Sequence, residues 1–195
     1  MKLSKLLLAT ASAAVLLGAL VASASARNFE ISSQTTTALW TTLIFAGGFG
    51  TVECEIRVSG SYHTRTITKT VNSLIGYITE GTVLRCSRGS ATVNQASLPW
   101  HRRYRGFTGT LPSISGDSET ITGAEWTVRE PTFGITCTVR RETSSTIGTY
   151  TFSSGTLTRA ETSGESPCGS FTGRLSGSTT NITNGAGARL TLRLI

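Results

Sequence analysis

Aspartate is nearly missing from this chain: Asp117 is the only one in 195 residues. Lysine is almost as scarce, at Lys2, Lys5 and Lys69, and the two histidines are His63 and His101. A serine triad needs a Ser, a His and an orienting acid. The stock for one is thin: no GxSxG elbow occurs, and Ser113 and Ser115 merely lie near His101 in sequence. There is no CxxC and there are too few histidines for a zinc-type ligand set. GxxxxGK[ST] and a strand-borne GxGxxG are both missing, so no phosphate cradle is present and no cofactor is expected. Aromatics make up only 7% of the chain, too few to line a saccharide cleft generously. Glu53 and Glu55 therefore read as a solvated strand face paired with Arg57 and cross-strand neighbours, not as a glycoside-cleaving pair. Beyond residue 26 there is no helical period and no apolar run long enough to cross a membrane.

The one long apolar run stands at the N-terminus. Lys2 and Lys5 precede Leu6 to Ala22, and Ala24-Ser25-Ala26 gives a small-x-small cleavage signal. Residues 1–26 are expected to be a signal peptide, cleaved before Arg27, with the mature chain 27–195 secreted or held at the cell surface. All four cysteines lie in the mature part, and an even number in an exported chain reads as disulfides and not as a metal site. The formal charge of +7 drops to +5 once Lys2 and Lys5 are removed. A modest positive charge favours anionic surfaces only weakly.

What is abundant is Thr, Ser and Gly, in strand-like runs punctuated every eight to twelve residues. That spacing belongs to a β-sandwich or barrel. In Thr51 to Val58 the alternation puts Val52, Cys54, Ile56 and Val58 on one face. Ala124, Trp126 and Val128 alternate likewise, as do Ile135, Cys137 and Val139, and Leu190, Leu192 and Leu194. Thr37 to Phe45 is continuously apolar enough to predict a strand covered on both faces, broken at Gly47-Gly48. Leu74 to Thr79 and Gly81 to Cys86 read as two strands joined around Glu80. Gly148 to Phe152 and Gly155 to Ala160 read as a hairpin through Ser153-Ser154, and Ser176 to Gly187 as a polar loop.

One pattern occurs twice. Ala-x-Trp-Thr, then Phe-Gly, then Cys appears at Ala38 to Cys54 and again at Ala124 to Cys137. Each copy has a second cysteine further on, Cys86 and Cys168. The expected fold is all-β, an antiparallel β-sandwich or flattened barrel from a degenerate internal duplication, with two disulfides. Unit one covers about 35–97 and unit two about 119–195 within a single domain. Four cysteines allow three connectivities, and the duplication selects Cys54 with Cys86 and Cys137 with Cys168. Trp40 and Trp126 are expected to be structural, packed in the core.

Residues 98–118 connect the units. Leu98 to Pro112 carries Trp100, His101, Arg102, Arg103, Tyr104 and Arg105, a mixture of cations and rings. It is expected on the surface, with Trp100 partly buried and its arginines exposed, as a candidate binding surface for an anionic envelope polymer or a protein. Nucleic acid is not expected in an exported chain, although arginines and rings are the residues that hold it.

The order Cys86, Leu-Pro-Trp-His at Leu98, Gly-Phe-x-Gly-Thr-Leu-Pro at Gly106, Ala-x-Trp-Thr at Ala124 and Phe-Gly-Ile-x-Cys at Phe133 resembles a group of exported actinobacterial proteins of unknown function. A fainter similarity links the chain to secreted activators of alkane oxidation, which share a signal peptide, Thr/Ser/Gly-rich strands, paired cysteines and a Leu-Pro-Trp. The arginines and the second Trp, Phe-Gly, Cys copy depart from that second group. The first resemblance implies no activity, and the second would suit an apolar ligand. The expected function is therefore non-catalytic: a cell-envelope or extracellular binding or structural module. Its alternatives are a carrier of an apolar ligand inside a barrel and an extracellular hydrolase using His101 or the Glu53/Glu55 pair.

Overall fold

The structure is a computed structural model, and it describes residues 28–110, 113–140, 145–165, 167–168 and 171–195. The expected signal peptide and the cleavage point after Ala26 lie outside the described residues. In chain order the strands are β1 (Asn28–Ile31), β2 (Thr35–Gly47), β3 (Gly50–Tyr62), β4 (Thr66–Thr68), β5 (Leu74–Arg88), β6 (Ser90–Val93), β7 (Trp100–Thr110), β8 (Ser113–Thr122), β9 (Trp126–Arg129), β10 (Thr136–Val139), β11 (Ser145–Ser153), β12 (Thr156–Glu165), β13 (Gly173–Thr179), β14 (Ile182–Thr183) and β15 (Leu192–Leu194). A 3-10 turn, Gln95–Ser97, precedes β7. Among the described residues no helix is long and apolar enough to cross a membrane.

The all-β expectation holds, and the strand pairing is that of a barrel. β2, β3, β5, β7, β8, β11, β12 and β13 pair antiparallel in that order, and β13 returns to β2. The ring closes through Leu175↔Phe45 and Gly173↔Gly47. Closure removes the exposed sheet edges that would invite aggregation. Each barrel strand pairs with its sequence neighbours in the ring, so hairpins and short excursions build nearly all of it. A ring of this size leaves an interior just wide enough to fill with side chains or to hold one small ligand.

Two three-stranded sheets are appended to the ring. The first, in the order β15-β1-β4, seats Phe29 against Tyr104 and Phe107, with ring centroids 6.2 and 5.7 Å apart. The second, β10-β9-β6, seats Trp126 against Phe45 and Trp100, at 5.4 and 5.1 Å. The alternating terminal run pairs in the first of these sheets, with Leu192 opposite Ile31 and Leu194 opposite Phe29.

Several expectations are corrected. β2 is not covered on both faces: a register shift between Trp40 and Leu43 leaves Thr41 and Thr42 exposed, and only the inward side is buried. The two strands read around Glu80 are one long strand, β5, because bulges opposite Cys54, Ile56 and Gly60 absorb the interruptions while pairing continues. The polar stretch from Ser176 is a loop only in part: its first four residues complete β13, which closes the barrel, Ile182–Thr183 is β14, and a turn follows at 184–187, where Gly187 N–H donates to the Asn184 carbonyl. The hairpin β11–β12 forms, with its turn one residue later than read. Ser154 and Gly155 both take positive φ (49° and 76°), the backbone of a two-residue turn that suits the strand twist.

Both disulfides pair as the duplication predicts, Cys54 with Cys86 and Cys137 with Cys168. In both copies the tryptophan strand and the cysteine strand form an antiparallel hairpin, β2–β3 and β9–β10. The hairpins then differ in employment. The first is barrel wall and the second belongs to an appended sheet, where Phe133 is 75% exposed while its counterpart Phe49 is buried. The segment read as a connector is β7 and β8, two adjacent staves of the barrel.

A candidate ligand site inside the barrel

Inward residues on β7 are Trp100, Arg102 and Tyr104, each at most 3% exposed, while His101 and Arg103 are half-buried on the outer side and Arg105 is exposed. The expected arginine surface is thus split by the pleat. Alternation carries one arginine into the core with the two rings that flank it. Trp100 is fully buried, not partly, and its indole N–H donates to Ser97 Oγ at 3.0 Å. His101 packs with a tilted ring against Tyr77 on the outer side, which in turn meets His63, at centroid distances of 5.5 and 4.9 Å.

The partner of Arg102 comes from the next stave. On β8, Asp117, Glu119 and Ile121 point inward, with Glu119 at 0% exposure. Arg102 Nε donates to Glu119 Oε2 at 2.8 Å, and Nη2 lies 2.7 Å from the same oxygen. Tyr62, from β3, donates its hydroxyl to Glu119 Oε1 at 2.8 Å and accepts from Arg102 Nη2 at 2.7 Å. Nη2 also reaches the Tyr150 hydroxyl of β11 at 3.3 Å, and Nη1 donates to Thr36 Oγ1 of β2 at 3.1 Å. The guanidinium carbon stands 4.2 Å from the Tyr62 ring centroid, so one cation is held by hydrogen bonds and by an aromatic face. Staves from both sides of the ring therefore meet on a single side chain.

Burial and charge set the protonation states of this cluster. Burial would lower Arg102, but Glu119 together with the Tyr62 and Tyr150 hydroxyls outweighs that and holds the guanidinium above its ordinary range. Burial raises Tyr62 well above the usual phenol value against the opposing pull of Arg102. Tyr150 rises for the same reason, with Glu119 adding to it. Asp117 is raised well above the usual carboxyl range, first by burial and then by Glu119 two residues away on the same face. Its Oδ1 is buried without a hydrogen-bond partner.

Around the cluster lies a cavity of about 100 Å³. Its walls are mainly apolar, with Trp40, Trp100 and Trp126 among them, and its polar groups include Thr36, Tyr62, Arg102 and Tyr150. Trp40 and Trp126 are buried, as expected, and they also border a space.

The other sequence candidates are not brought together with this site. His101 lies on the outer side of β7, while Asp117 and Glu119 are inward. Ser115 is exposed. Glu55 accepts from Arg85, its register partner on β5, at 2.5 Å, as the cross-strand pairing expects; Arg57 is not its partner. Among the described residues no group of three or more His, Cys, Asp or Glu could hold a metal ion. Sequence reasoning missed Tyr62, Glu119, Asp117 and Tyr150. The one available signal was the alternation of Trp100, Arg102 and Tyr104, whose outer members already required one face of β7 to be core.

The fold and the cavity define an antiparallel β-barrel with a mixed apolar and polar interior. The chain matches no protein-family model, and no curated protein or solved structure similar to it was found.

Proposed function

We propose that this protein is an exported, non-catalytic β-barrel that holds a small, mainly apolar ligand in its interior. The observation that carries this reading is the cavity walled by Trp40, Trp100 and Trp126 inside a closed ring of strands. A filled core would have supported a surface-binding module, and Arg102 would then have been expected outside. Instead Arg102 is buried on the cavity wall, where a binding pocket's few placed polar groups fix orientation. A dry apolar cavity of about 150 Å³ accommodates benzene, so a space of about 100 Å³ suits a smaller body, such as a short branched or straight alkyl chain. Export into an oxidising compartment is part of the proposal and fits the two disulfides.

The test uses the oxidised mature chain. Isobutene titrated into it should quench or shift the tryptophan fluorescence saturably and raise the melting temperature. Ala38→Leu, which fills the cavity from β2, should weaken that binding while the chain still melts cooperatively. Signals that never saturate, or that are untouched by the filling substitution, would sink the reading.

A further inference from the structure

We infer that the ligand carries a hydrogen-bond acceptor, a carbonyl or ether-like oxygen, which docks on the Nη1 edge of Arg102; this rests on the ligand-holding reading above. A guanidinium has five N–H donors and no acceptor. On Arg102, Nε is used by Glu119, and Nη2 by Glu119 and the two tyrosine hydroxyls. Nη1 has one acceptor, Thr36 Oγ1. One of its two N–H groups thus has no protein partner among the described residues, although the side chain is 4% exposed. A buried donor left unmade costs free energy, so such groups in native interiors have an explanation.

Arg102 borders the cavity, as does Thr36, so the open donor belongs to a group on the cavity wall. One inward position back along β7 stands Trp100, also on the wall, and Trp126 touches it at 5.1 Å. The space is therefore amphipathic: an apolar body packs on the tryptophans and an oxygen meets the guanidinium. The charge of Arg102 is already balanced by Glu119, so a neutral acceptor is favoured over an anion, whose arrival would bring a second negative charge to the same fork. Glu119 and the two tyrosines act on the ligand through Arg102. They fix the plane of the fork, as a supporting shell must.

Two probes of one shape decide the matter: acetone, and isobutene, which replaces the carbonyl oxygen by a methylene. Their affinities are measured for the wild-type chain and for Arg102→Met/Glu119→Gln, which removes both charges and leaves neither unpaired. The ratio of the two affinities should shift against the ketone by roughly tenfold or more in the double variant, the scale of a hydrogen bond to a charged donor. An unchanged ratio overturns the inference and leaves the cavity reading standing. Failure of both probes to bind the wild-type chain overturns the cavity reading and this one with it. The wild-type complex gives a second measurement that needs no variant: the carbonyl stretch of bound acetone should fall below its value in hexane. A stretch unmoved from hexane overturns the inference.

Discussion

Arg102 and Glu119 stand 17 residues apart in sequence and meet at 2.7 Å with their side chains 4% and 0% exposed. Removing one member of such a pair leaves the other charge buried and uncompensated. Arg102→Met alone should therefore cost about 3–5 kcal/mol, while Arg102→Met/Glu119→Gln should recover most of that loss. Urea unfolding of the two variants and the wild type checks it. A single variant no less stable than the double would mean that the two charges do not depend on each other.

Asp117 gives a pH dependence of defined sign. Its carboxyl is held protonated further up the pH scale in the fold than in the unfolded chain, by burial and then by Glu119. Between the unfolded value, about 3.9, and the raised folded value, the native state binds the extra proton. Stability contributed by this group is then fully present below the unfolded value and is lost as pH rises through that window, at most about 1.4 kcal/mol per pH unit. Asp117→Asn removes the titration. Its stability relative to the wild type should grow from acid toward neutral pH, and a flat difference in melting temperature across that range would contradict the assignment.

The two disulfides close loops of similar length, with sequence separations of 32 and 31. Chain entropy alone assigns each about 3–4 kcal/mol, an upper-end figure. Both together are comparable to the whole stability of an ordinary domain, about 5–15 kcal/mol. The reduced chain should be largely unfolded at growth temperature, as judged by far-ultraviolet circular dichroism with and without reductant. Non-reducing peptide mapping should recover Cys54 joined to Cys86 and Cys137 joined to Cys168.

Gly60 and Gly76 pinch β3 against β5. A methyl on Gly60 would collide with the Tyr77 carbonyl, and one on Gly76 with the Ser61 carbonyl. Backbone atoms cannot step aside as a side-chain tip can. Gly60→Ala should destabilise the barrel by about 1–3 kcal/mol. It should also disturb ligand binding, because Gly60 borders the cavity. A neutral result in thermal melting would show that the two staves can separate there without loss.

The sequence by itself determined the fold class, the disulfide pairing and the inward faces of most strands. Those features are local or repeated. Alternation has a period of two, so Val52, Cys54 and Ile56 declare their side without reference to any other strand. The Trp, Phe-Gly, Cys pattern, which occurs twice, then selected one of the three possible cysteine connectivities. Tertiary structure decided everything that depends on which strands become neighbours. β13 closing on β2 turns an open meander into a barrel, and no residue within Gly173–Thr179 encodes that meeting alone. The fate of Arg102 is the clearest case. In sequence it stands between His101 and Arg103 as one cation among several, and by composition that is a surface. It became core because β8 supplied Glu119 beside it and β2, β3 and β11 supplied Thr36, Tyr62 and Tyr150. A buried charge is tolerated only where partners converge on it, and convergence from separate staves is a property of the closed ring, invisible in any stretch of the chain.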